Sequence, residues 1–438
     1  MSDHPSVAVM PLPPAVVRRA VVASILGNGM EWYDFLIYGF FATSIAHSFF
    51  PAERASVSLM LTLATFAVGF VVRPLGGVLI GIYADHAGRK PALAMLILLM
   101  AGGTLLTGLT PSYDSIGLAA PLLVIFARVL QGLSVGGEFA SATAMLVEYV
   151  PPERKLFFGS FQMCAQAAGV TCAAFAAYAI DQALPPEIVQ SWGWRLPFLA
   201  GALIGPVGFY IRHRVDDSPE FRQLAPDARD RTPFRGVLRH HLTAVLSAMG
   251  LIVAGTAATY LWNTYLPLYV THQLHLPMAA ALFGIGICGL LNIVLYPLAG
   301  WLADRVGGYR VFFTALVLFG LMSWPLFAFV NKAPTRANLM GAQLVANVLM
   351  AFMAGPTPAM IARLFPTSVR STGMAVAYNV GVTVFGGLSP LTVTWLIGLT
   401  GNRMVPAWYL MAAALLSLAM VLGTQRAWLR RAVPVAAE

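Results

Sequence analysis

Two carboxylic acids interrupt a long apolar segment near the start of the chain. Glu31 and Asp34 lie inside an apolar run that covers about 20–47. An ionised side chain at the centre of a lipid bilayer costs about 2.5–3.5 kcal/mol even on a lenient insertion scale, so each acid needs a partner, a proton or water. Being three residues apart, the two acids share a helix face. We interpret at least one of them as a proton carrier. The alternative is that both pair structurally inside a helix bundle.

An arginine stands at comparable depth in a later apolar segment. Arg128 lies about eleven residues into that segment, a depth of roughly 16 Å at 1.5 Å per residue. Gln131 and Glu138 fall within about 80° of it on the helix. Because its planar guanidinium matches the geometry of a carboxylate, Arg128 is the first candidate for binding a substrate carboxylate. The alternative is that it only pairs with Glu31 or Asp34 to hold the bundle together.

The remaining candidate residues differ between the two halves of the chain. Arg73, directly before Pro74, stands at a predicted helix kink. The second half offers only neutral polar groups inside its apolar segments. This asymmetry suggests that the first half handles charge and protons while the second half shapes the substrate. Besides Arg128, the candidates for substrate binding are Asn28, Arg73, Gln131, Gln162, Tyr260, Asn263, Tyr378 and Asn379.

The composition excludes a water-soluble globular protein. Of the 438 residues, 58% are hydrophobic and only 10% are charged, against about 25% charged in typical soluble domains. Apolar segments of this length are membrane-spanning helices. All three cysteines fall in apolar runs, which supports no disulfide framework. The chain is therefore predicted to be an all-α polytopic membrane protein in contact with a lipid bilayer.

Twelve transmembrane helices are predicted, in two lobes of six. The only long polar stretch, 213–240, separates an N-terminal lobe, 1–212, from a C-terminal lobe, 241–438, and is predicted to be a cytoplasmic linker. The predicted helices cover 20–47, 57–84, 91–109, 117–149, 156–181, 195–212, 241–270, 278–303, 310–330, 337–363, 370–398 and 405–426.

The positive charges predict the orientation of these helices. Most of the 27 lysines and arginines fall in segments that share one side of the membrane if both termini are cytoplasmic, as the positive-inside rule expects. The net charge of +9 is thus explained by topology, and no nucleic-acid partner is expected. The opposite side holds Arg54, Arg195, Lys332, Arg336 and Arg403.

A polar turn is repeated in the two halves. The segment 81–90 follows the second predicted helix, and the related segment 300–310 follows the eighth. Each places an aspartate, Asp85 or Asp304, at the cytoplasmic end of a helix. Such a carboxylate can pair with Arg89 and with the positive N-terminus of a neighbouring helix. We predict that Asp85, Arg89, Asp304 and Glu138 act as gating residues. The alternative is a tight turn whose charges only set topology.

These motifs resemble a known family of carriers. The pattern G-x-x-x-D-[RH]-x-G-R-K at 81–90 is similar to the signature loop of the major facilitator superfamily, although His86 stands where arginine is usual. The stretches 27–35, 73–77 and 128–138 resemble the metabolite:proton symporter family, which includes bacterial carriers for citrate, α-ketoglutarate, shikimate and proline or betaine. The resemblance implies a bacterial inner-membrane protein that uses protons as coupling ion and no cofactor.

The resemblance also orders the expected functions. Proton-driven symport of a small organic acid, a citrate-like di- or tricarboxylate, is our first prediction, because Arg128 and Arg73 suit carboxylates. A zwitterionic osmolyte such as proline or betaine comes second, since the family's osmosensing branch carries a long coiled-coil tail and this chain ends at Glu438. A drug/proton antiporter is the third alternative. No enzyme activity is expected, and no G-x-x-x-x-G-K-[ST] phosphate-binding motif occurs in the sequence.

Overall fold

The computed structural model describes most of the chain as a bundle of helices. The described residues are 28–29, 31–87, 89–136, 139–140, 143, 146–147, 150, 152–202, 237, 239, 241–366 and 369–432, and none of them forms a strand. Both predicted cytoplasmic termini and nearly all of the predicted linker lie outside these residues. We refer to the described residues up to 202 as the first half and to those from 241 as the second half.

We number the main helices in chain order. In the first half, α1 is helical over 31–40 and Ala42–Phe49, α2 consists of Ala55–Val71 and Arg73–Ala87, α3 is Arg89–Leu109, α4 is Ala119–Val135, α5 is Lys155–Ala183 and α6 is described over 196–202. In the second half, the helices are α7 Leu242–Gln273, α8 Met278–Val306, α9 Gly308–Lys332, α10 Arg336–Arg363, α11 Arg370–Thr400 and α12 Val405–Ala432.

Eight of the described helical segments are long and apolar enough to cross a membrane. Six of them coincide with α5 and α7–α11, and the other two are the first parts of α2, Ala55–Gly77, and of α12, Val405–Thr424. Two further segments, Met95–Leu109 in α3 and α4, are apolar but shorter. The prediction of an all-helical membrane protein is therefore confirmed, and the complete set of twelve spans stays a prediction.

Three interruptions in the helices lie close to the candidate residues. The helix of α2 is interrupted at Val72, directly before Arg73 and Pro74, where the sequence predicted a kink. Helix α7 has a π-helical turn at Tyr260–Tyr265, and α11 has another at Thr383–Gly387. Because a π-helical turn shifts the register of the side chains that follow it, such turns often occur at functional sites.

Glycines allow the helices of the first half to approach one another closely. A Cβ added at Gly132 of α4 would collide with the backbone of Gly69 in α2, and one at Gly169 of α5 would collide with the backbone of Gly29. Small residues at such crossings let backbones pack together, which is the usual way in which helices associate in a membrane. The first of these contacts fixes the distance between α2 and α4, the helices that carry Arg73 and Arg128.

We predict that Gly132→Ala destabilises the first half. Its added methyl group meets backbone atoms that cannot rotate away, and overpacking of this kind costs about 1–3 kcal/mol. The measurement is the melting temperature of the detergent-purified protein. Gly102→Ala is the matched control, because nothing lies within 4 Å of a Cβ added there, and alanine has the higher helix propensity. Equal melting temperatures for the two variants would contradict this packing.

Candidate functional site

One of the two acids of helix α1, Asp34, is surrounded by polar side chains of α3 and α4. The Asp34 carboxylate accepts hydrogen bonds from the Thr104 hydroxyl of α3 at 2.6 Å and from the Gln131 amide of α4 at 2.5 Å. The Arg128 guanidinium lies 3.8 Å from the same carboxylate. Three helices therefore converge on Asp34, and the charge-assisted hydrogen bonds compensate much of the cost of burying it.

The second acid of α1 pairs with a different arginine. Glu31 lies 3.5 Å from the Arg73 guanidinium, which is only 1% exposed. That guanidinium also lies over two aromatic rings, 4.2 Å from the centroid of Phe70 and 4.6 Å from that of Phe35. A cation over an aromatic face gains about 0.5–2 kcal/mol, the upper value when it is desolvated. Arg73 is thus stabilised by one charge and two rings.

Arg128 is stabilised in a similar way. It has no exposed surface, and its guanidinium lies 4.1 Å from the centroid of the Tyr38 ring and 5.8 Å from that of Phe35. The Phe35 ring therefore lies near the guanidinium groups of both arginines. Among the described residues, the buried charged side chains are these two arginines with Glu31 and Asp34. All four belong to the first half.

A cavity of about 50 Å³ lies between the two halves. At roughly 10–15 Å³ of such space per water molecule, it holds a few waters. Aromatic rings form much of its wall: Trp32 lies 5.6 Å from Tyr260, and Phe139 stacks on Tyr378 at 3.8 Å between ring centroids. None of the described residues that line it is charged. Besides these rings, its lining includes Met163, Gln166, Thr256, Thr259, Met353 and Thr357.

One of the ion pairs lies close to this cavity. The Phe70 ring lies 4.2 Å from the Arg73 guanidinium and 5.3 Å from the ring of Tyr260, which lines the cavity. Trp32, the residue after Glu31, lines the cavity as well. The rings near Arg128, those of Tyr38 and Phe35, are not among the lining residues.

The other predicted binding residues occupy different positions. Asn28 donates a hydrogen bond to the backbone carbonyl of Gln162, and both residues are buried away from the cavity lining. Asn379 donates to the carbonyl of Gly136 at 2.6 Å, which joins α11 to the end of α4. Asn263 lines a second cavity of about 10 Å³ inside the second half. Of the predicted substrate-binding residues, Tyr260 and Tyr378 line the main cavity.

One predicted gating residue makes a contact between the halves. The Asp304 carboxylate, near the end of α8, accepts hydrogen bonds from the backbone N–H groups of Leu156 at 3.1 Å and Phe157 at 2.9 Å. These N–H groups belong to the first turn of α5, so a negative charge meets a positive helix end. Glu138 and the side chains of Asp85 and Arg89 lie outside what the structure describes, and a gating role for all four stays a prediction.

Sequence reasoning missed several residues of the site. Trp32 and Phe35 flank the acids in the stretch that drew attention first, and their spacing could have indicated an aromatic lining. Thr104 and Phe139 lie in apolar segments without a distinguishing pattern. Their roles follow only from the way in which the helices face one another.

The comparisons with known proteins agree with this architecture. The model of the Major Facilitator Superfamily matches residues 24–330 and 285–437. The chain therefore belongs to this superfamily, and its curated relatives place it among the metabolite:proton symporters. Like them it is a secondary transporter of small molecules and not an enzyme.

Two of these relatives transport different substrates. The chain is 35% identical to the glycine betaine/proline/ectoine/pipecolic acid transporter OusA of Dickeya dadantii, over 92% of this chain and 82% of the relative. It is also 35% identical to a citrate-proton symporter of Salmonella typhi, over 93% of this chain and 94% of the relative.

The fold matches the crystal structure of a D-xylose-proton symporter with a TM-score of 0.73 at 18% identity, covering 93% of this chain and 99% of that one.

We predict that the two ion pairs behave as separate energetic units. Asp34→Asn or Arg128→Gln alone leaves one buried charge without its partner, which costs about 3–5 kcal/mol. The double variant removes both charges and should lose less stability than the sum of the single losses. Melting temperatures of the purified variants measure this coupling energy.

A mismatched double variant is the control. Asp34→Asn combined with Arg73→Gln removes one charge from each pair, so its losses should be closer to additive. If the mismatched combination shows as much coupling as Asp34→Asn with Arg128→Gln, the four charges form one network and not two pairs.

Proposed function

We propose that this protein imports a small zwitterion, a carboxylate that also carries an ammonium group, together with a proton across the bacterial inner membrane. The observation that carries the proposal is the cavity between the halves, which has aromatic walls and no charged group among its described lining residues. Glycine betaine and proline, which are substrates of one relative, are solutes of this class. The two lobes, 1–212 and 241–438 joined by the linker 213–240, would rock about this site with both termini in the cytoplasm.

The aromatic wall suits the ammonium end of such a solute. Trp32, Tyr260, Phe139 and Tyr378 bring four rings to one small space. Ring faces attract cations, and recognition of quaternary ammonium groups by several rings is a common use of this interaction. A quaternary ammonium group, such as that of glycine betaine, has no N–H group and needs no hydrogen-bond acceptor, which agrees with a lining that is largely apolar.

The carboxylate end has a candidate partner in Arg73. Arg73 and Arg128 are both buried, and both guanidinium groups have nitrogen atoms without a hydrogen-bond partner among the described residues. The sequence favoured Arg128 for this role. Arg73 is connected to the cavity through the Phe70 ring, which packs on Tyr260. The ring nearest Arg128, that of Tyr38, does not line the cavity, so we now place Arg73 first and Arg128 second.

Proton coupling follows from competition for one cation. A proton from outside neutralises Glu31 and thereby weakens its attraction to Arg73. The substrate carboxylate then takes the place of the Glu31 carboxylate beside Arg73. After the lobes have reoriented, Glu31 releases its proton to the cytoplasm, pairs with Arg73 again and displaces the substrate. With the substrate bound, its carboxylate pairs with Arg73 and its ammonium group lies among the aromatic rings, so that each buried charge keeps a compensating partner. The loaded site then holds one positive charge more than the empty one, which is the charge of the proton that moves with the substrate.

A citrate-like acid is the second candidate. A citrate-proton symporter is among the relatives, and two arginines lie close to one another behind the cavity. Several carboxylates in one small cavity would require several cations in its wall, because buried charges must be paired. The described lining offers none, so the tricarboxylate moves behind the zwitterion in our order.

We predict that proteoliposomes accumulate labelled glycine betaine or proline when the outside is made acidic. Trp32→Leu should raise the KM for the ammonium solute about 2- to 30-fold, the range expected for a lost cation–π contact. Trp32→Tyr keeps a ring and should raise it less.

Trp408→Leu is the control for this experiment. Trp408 is 52% exposed on the outside of the bundle, so its loss should leave KM unchanged. Accumulation of citrate without that of either zwitterion would reverse the order of the candidates, and solute movement against the direction of the protons would indicate an antiporter.

We also predict that Glu31→Gln separates exchange from accumulation. The variant cannot release a proton, so it should exchange labelled for unlabelled substrate across the membrane but no longer concentrate it when a pH gradient is imposed. Counterflow and uphill uptake in the same proteoliposomes measure the two activities.

Glu53→Gln makes the same chemical change at an exposed position and should keep both activities. Asp34→Asn completes the set. If Asp34→Asn loses accumulation while Glu31→Gln keeps it, the proton site is Asp34. If both variants keep it, neither acid couples transport to protons.

A further inference from the structure

Two side chains of α11 reach across to the helices that surround Arg73. The Thr383 hydroxyl donates a hydrogen bond to the backbone carbonyl of Phe70 in α2 at 2.8 Å. One turn earlier, the Asn379 amide donates to the carbonyl of Gly136, and a Cβ added at Gly136 would collide with the backbone of Arg73. Residues four apart share a helix face, so one face of α11 joins the second half to both α2 and the end of α4.

The Phe70 carbonyl has no regular donor within its own helix. In an α-helix the carbonyl of one residue accepts from the N–H four residues later, and that residue is Pro74, which has no N–H. The N–H of Val72, at the interruption of α2, is shared between the carbonyls of Phe70 and Val68. Phe70 is buried, and a buried carbonyl needs a hydrogen-bond partner. The Thr383 hydroxyl supplies that partner from the other half.

The π-helical turn of α11 begins at this threonine and packs against two aromatic rings. The turn covers Thr383–Gly387. A Cβ added at Gly387 would collide with the Phe70 ring, and one at Gly386 would collide with the Tyr260 ring. The absence of a side chain at both positions lets the backbone of α11 lie directly against these rings.

These two rings connect Arg73 to the cavity. The Phe70 ring lies 4.2 Å from the Arg73 guanidinium and 5.3 Å from the ring of Tyr260, and Tyr260 lines the cavity. The carbonyl that Thr383 holds belongs to the residue that carries the first of these rings. The second half, which has no buried charge among its described residues, thus contributes to the position of an arginine in the first half.

We propose that Thr383 is a positioning residue of the transport site and acts through Phe70 on Arg73. Pro74 leaves a carbonyl free at the interruption of α2, and the Thr383 hydroxyl uses that carbonyl to fix α2 against the second half. Because Phe70 and Thr383 stand near the middle of their helices, the contact lies close to the level about which the lobes would rock. The effect on substrate binding rests on the proposed pairing of Arg73 with the substrate carboxylate.

Thr383→Val tests the hydroxyl while it keeps the size of the side chain. A hydrogen bond of this kind changes an equilibrium about two- to twelvefold. Without it the Phe70 ring is held less firmly between Arg73 and Tyr260, so the KM should rise by that factor, with a smaller change in Vmax. Thr383→Ser keeps the hydroxyl, loses the methyl group and should restore the KM. Initial rates of uptake into proteoliposomes with an acidic outside measure both constants.

Thr65→Val is the matched control. Thr65 is a buried residue of α2 whose hydroxyl donates to the Leu61 carbonyl of its own helix, so the KM should not change. The labelled solute is whichever of glycine betaine, proline and citrate the unaltered protein accumulates. Accumulation of citrate alone would reverse the proposed order of substrates and leave this test intact.

A second measurement does not depend on transport. Pro74→Ala restores an N–H four residues after Phe70, which then donates to the Phe70 carbonyl within α2. Thr383→Val should therefore lower the melting temperature of the purified protein less in the Pro74→Ala background than in the original sequence. Thr65→Val should cause the same loss in both backgrounds, because distant changes without a shared partner are additive.

Three results would overturn the proposal. The first is a KM in Thr383→Val that matches the KM in Thr65→Val. The second is an impairment in Thr383→Ser as large as that in Thr383→Val, because the methyl group and not the hydroxyl would then be responsible. The third is an equal loss of melting temperature from Thr383→Val with and without Pro74. If the protein accumulates none of the three solutes, the melting temperatures decide the matter alone.

Discussion

The burial of four charges in one small region of the first half constrains the rest of this structure. Glu31 and Asp34 on α1 face Arg73 on α2 and Arg128 on α4, so the charges sum to zero and each acid has its own cation. A membrane interior tolerates such groups only as balanced sets. The glycine contacts that bring α2 and α4 together and the hydrogen bonds from Thr104 and Gln131 to Asp34 are therefore requirements of this balance.

The position of one ion pair next to the cavity gives the proposed coupling a simple physical basis. In the proposed cycle, Arg73 pairs with one carboxylate at a time, either that of Glu31 or that of the substrate. Because the protonation of Glu31 decides which of them is favoured, binding of the proton and binding of the substrate become linked. Linkage of this kind is reciprocal, so a bound substrate should also favour protonated Glu31. The Phe35 and Phe70 rings keep Arg73 in place while its partner changes.

The sequence predicted more of the fold than of the site. Apolar segments and their polar interruptions placed the described helices to within a few residues, since hydrophobic length is a direct consequence of the membrane. The pairing of acids with arginines could not be predicted. Three residues on a helix separate Glu31 from Asp34 by about 4.5 Å along the axis, and the rotation of α2 and α4 about their own axes decides which arginine each acid meets. That rotation depends on contacts such as Gly69 with Gly132, which a single sequence does not show.

The cavity was harder still to foresee. The aromatic residues that line it are ordinary members of apolar segments, and 11% of the chain is aromatic. Trp32, Phe139, Tyr260 and Tyr378 come from four distant parts of the chain and become one wall only when the halves meet. The choice between Arg128 and Arg73 depends on the same information: depth along a helix can be counted from the sequence, but the distance of a side chain from the cavity cannot.

A contact between the two halves must be weak if the transporter is to alternate between its states. A carrier alternates between states that differ by a few kcal/mol at most, because both have to be populated in each cycle. A buried ion pair at a gate would cost about 3–5 kcal/mol to break and would hold one state. A carboxylate on a helix N-terminus contributes about 0.3–1 kcal/mol, and water can replace it when the end opens. The contact of the Asp304 carboxylate with the start of α5 is of this weaker kind, so the gradients of proton and substrate, and not this resting contact, can decide the direction of transport.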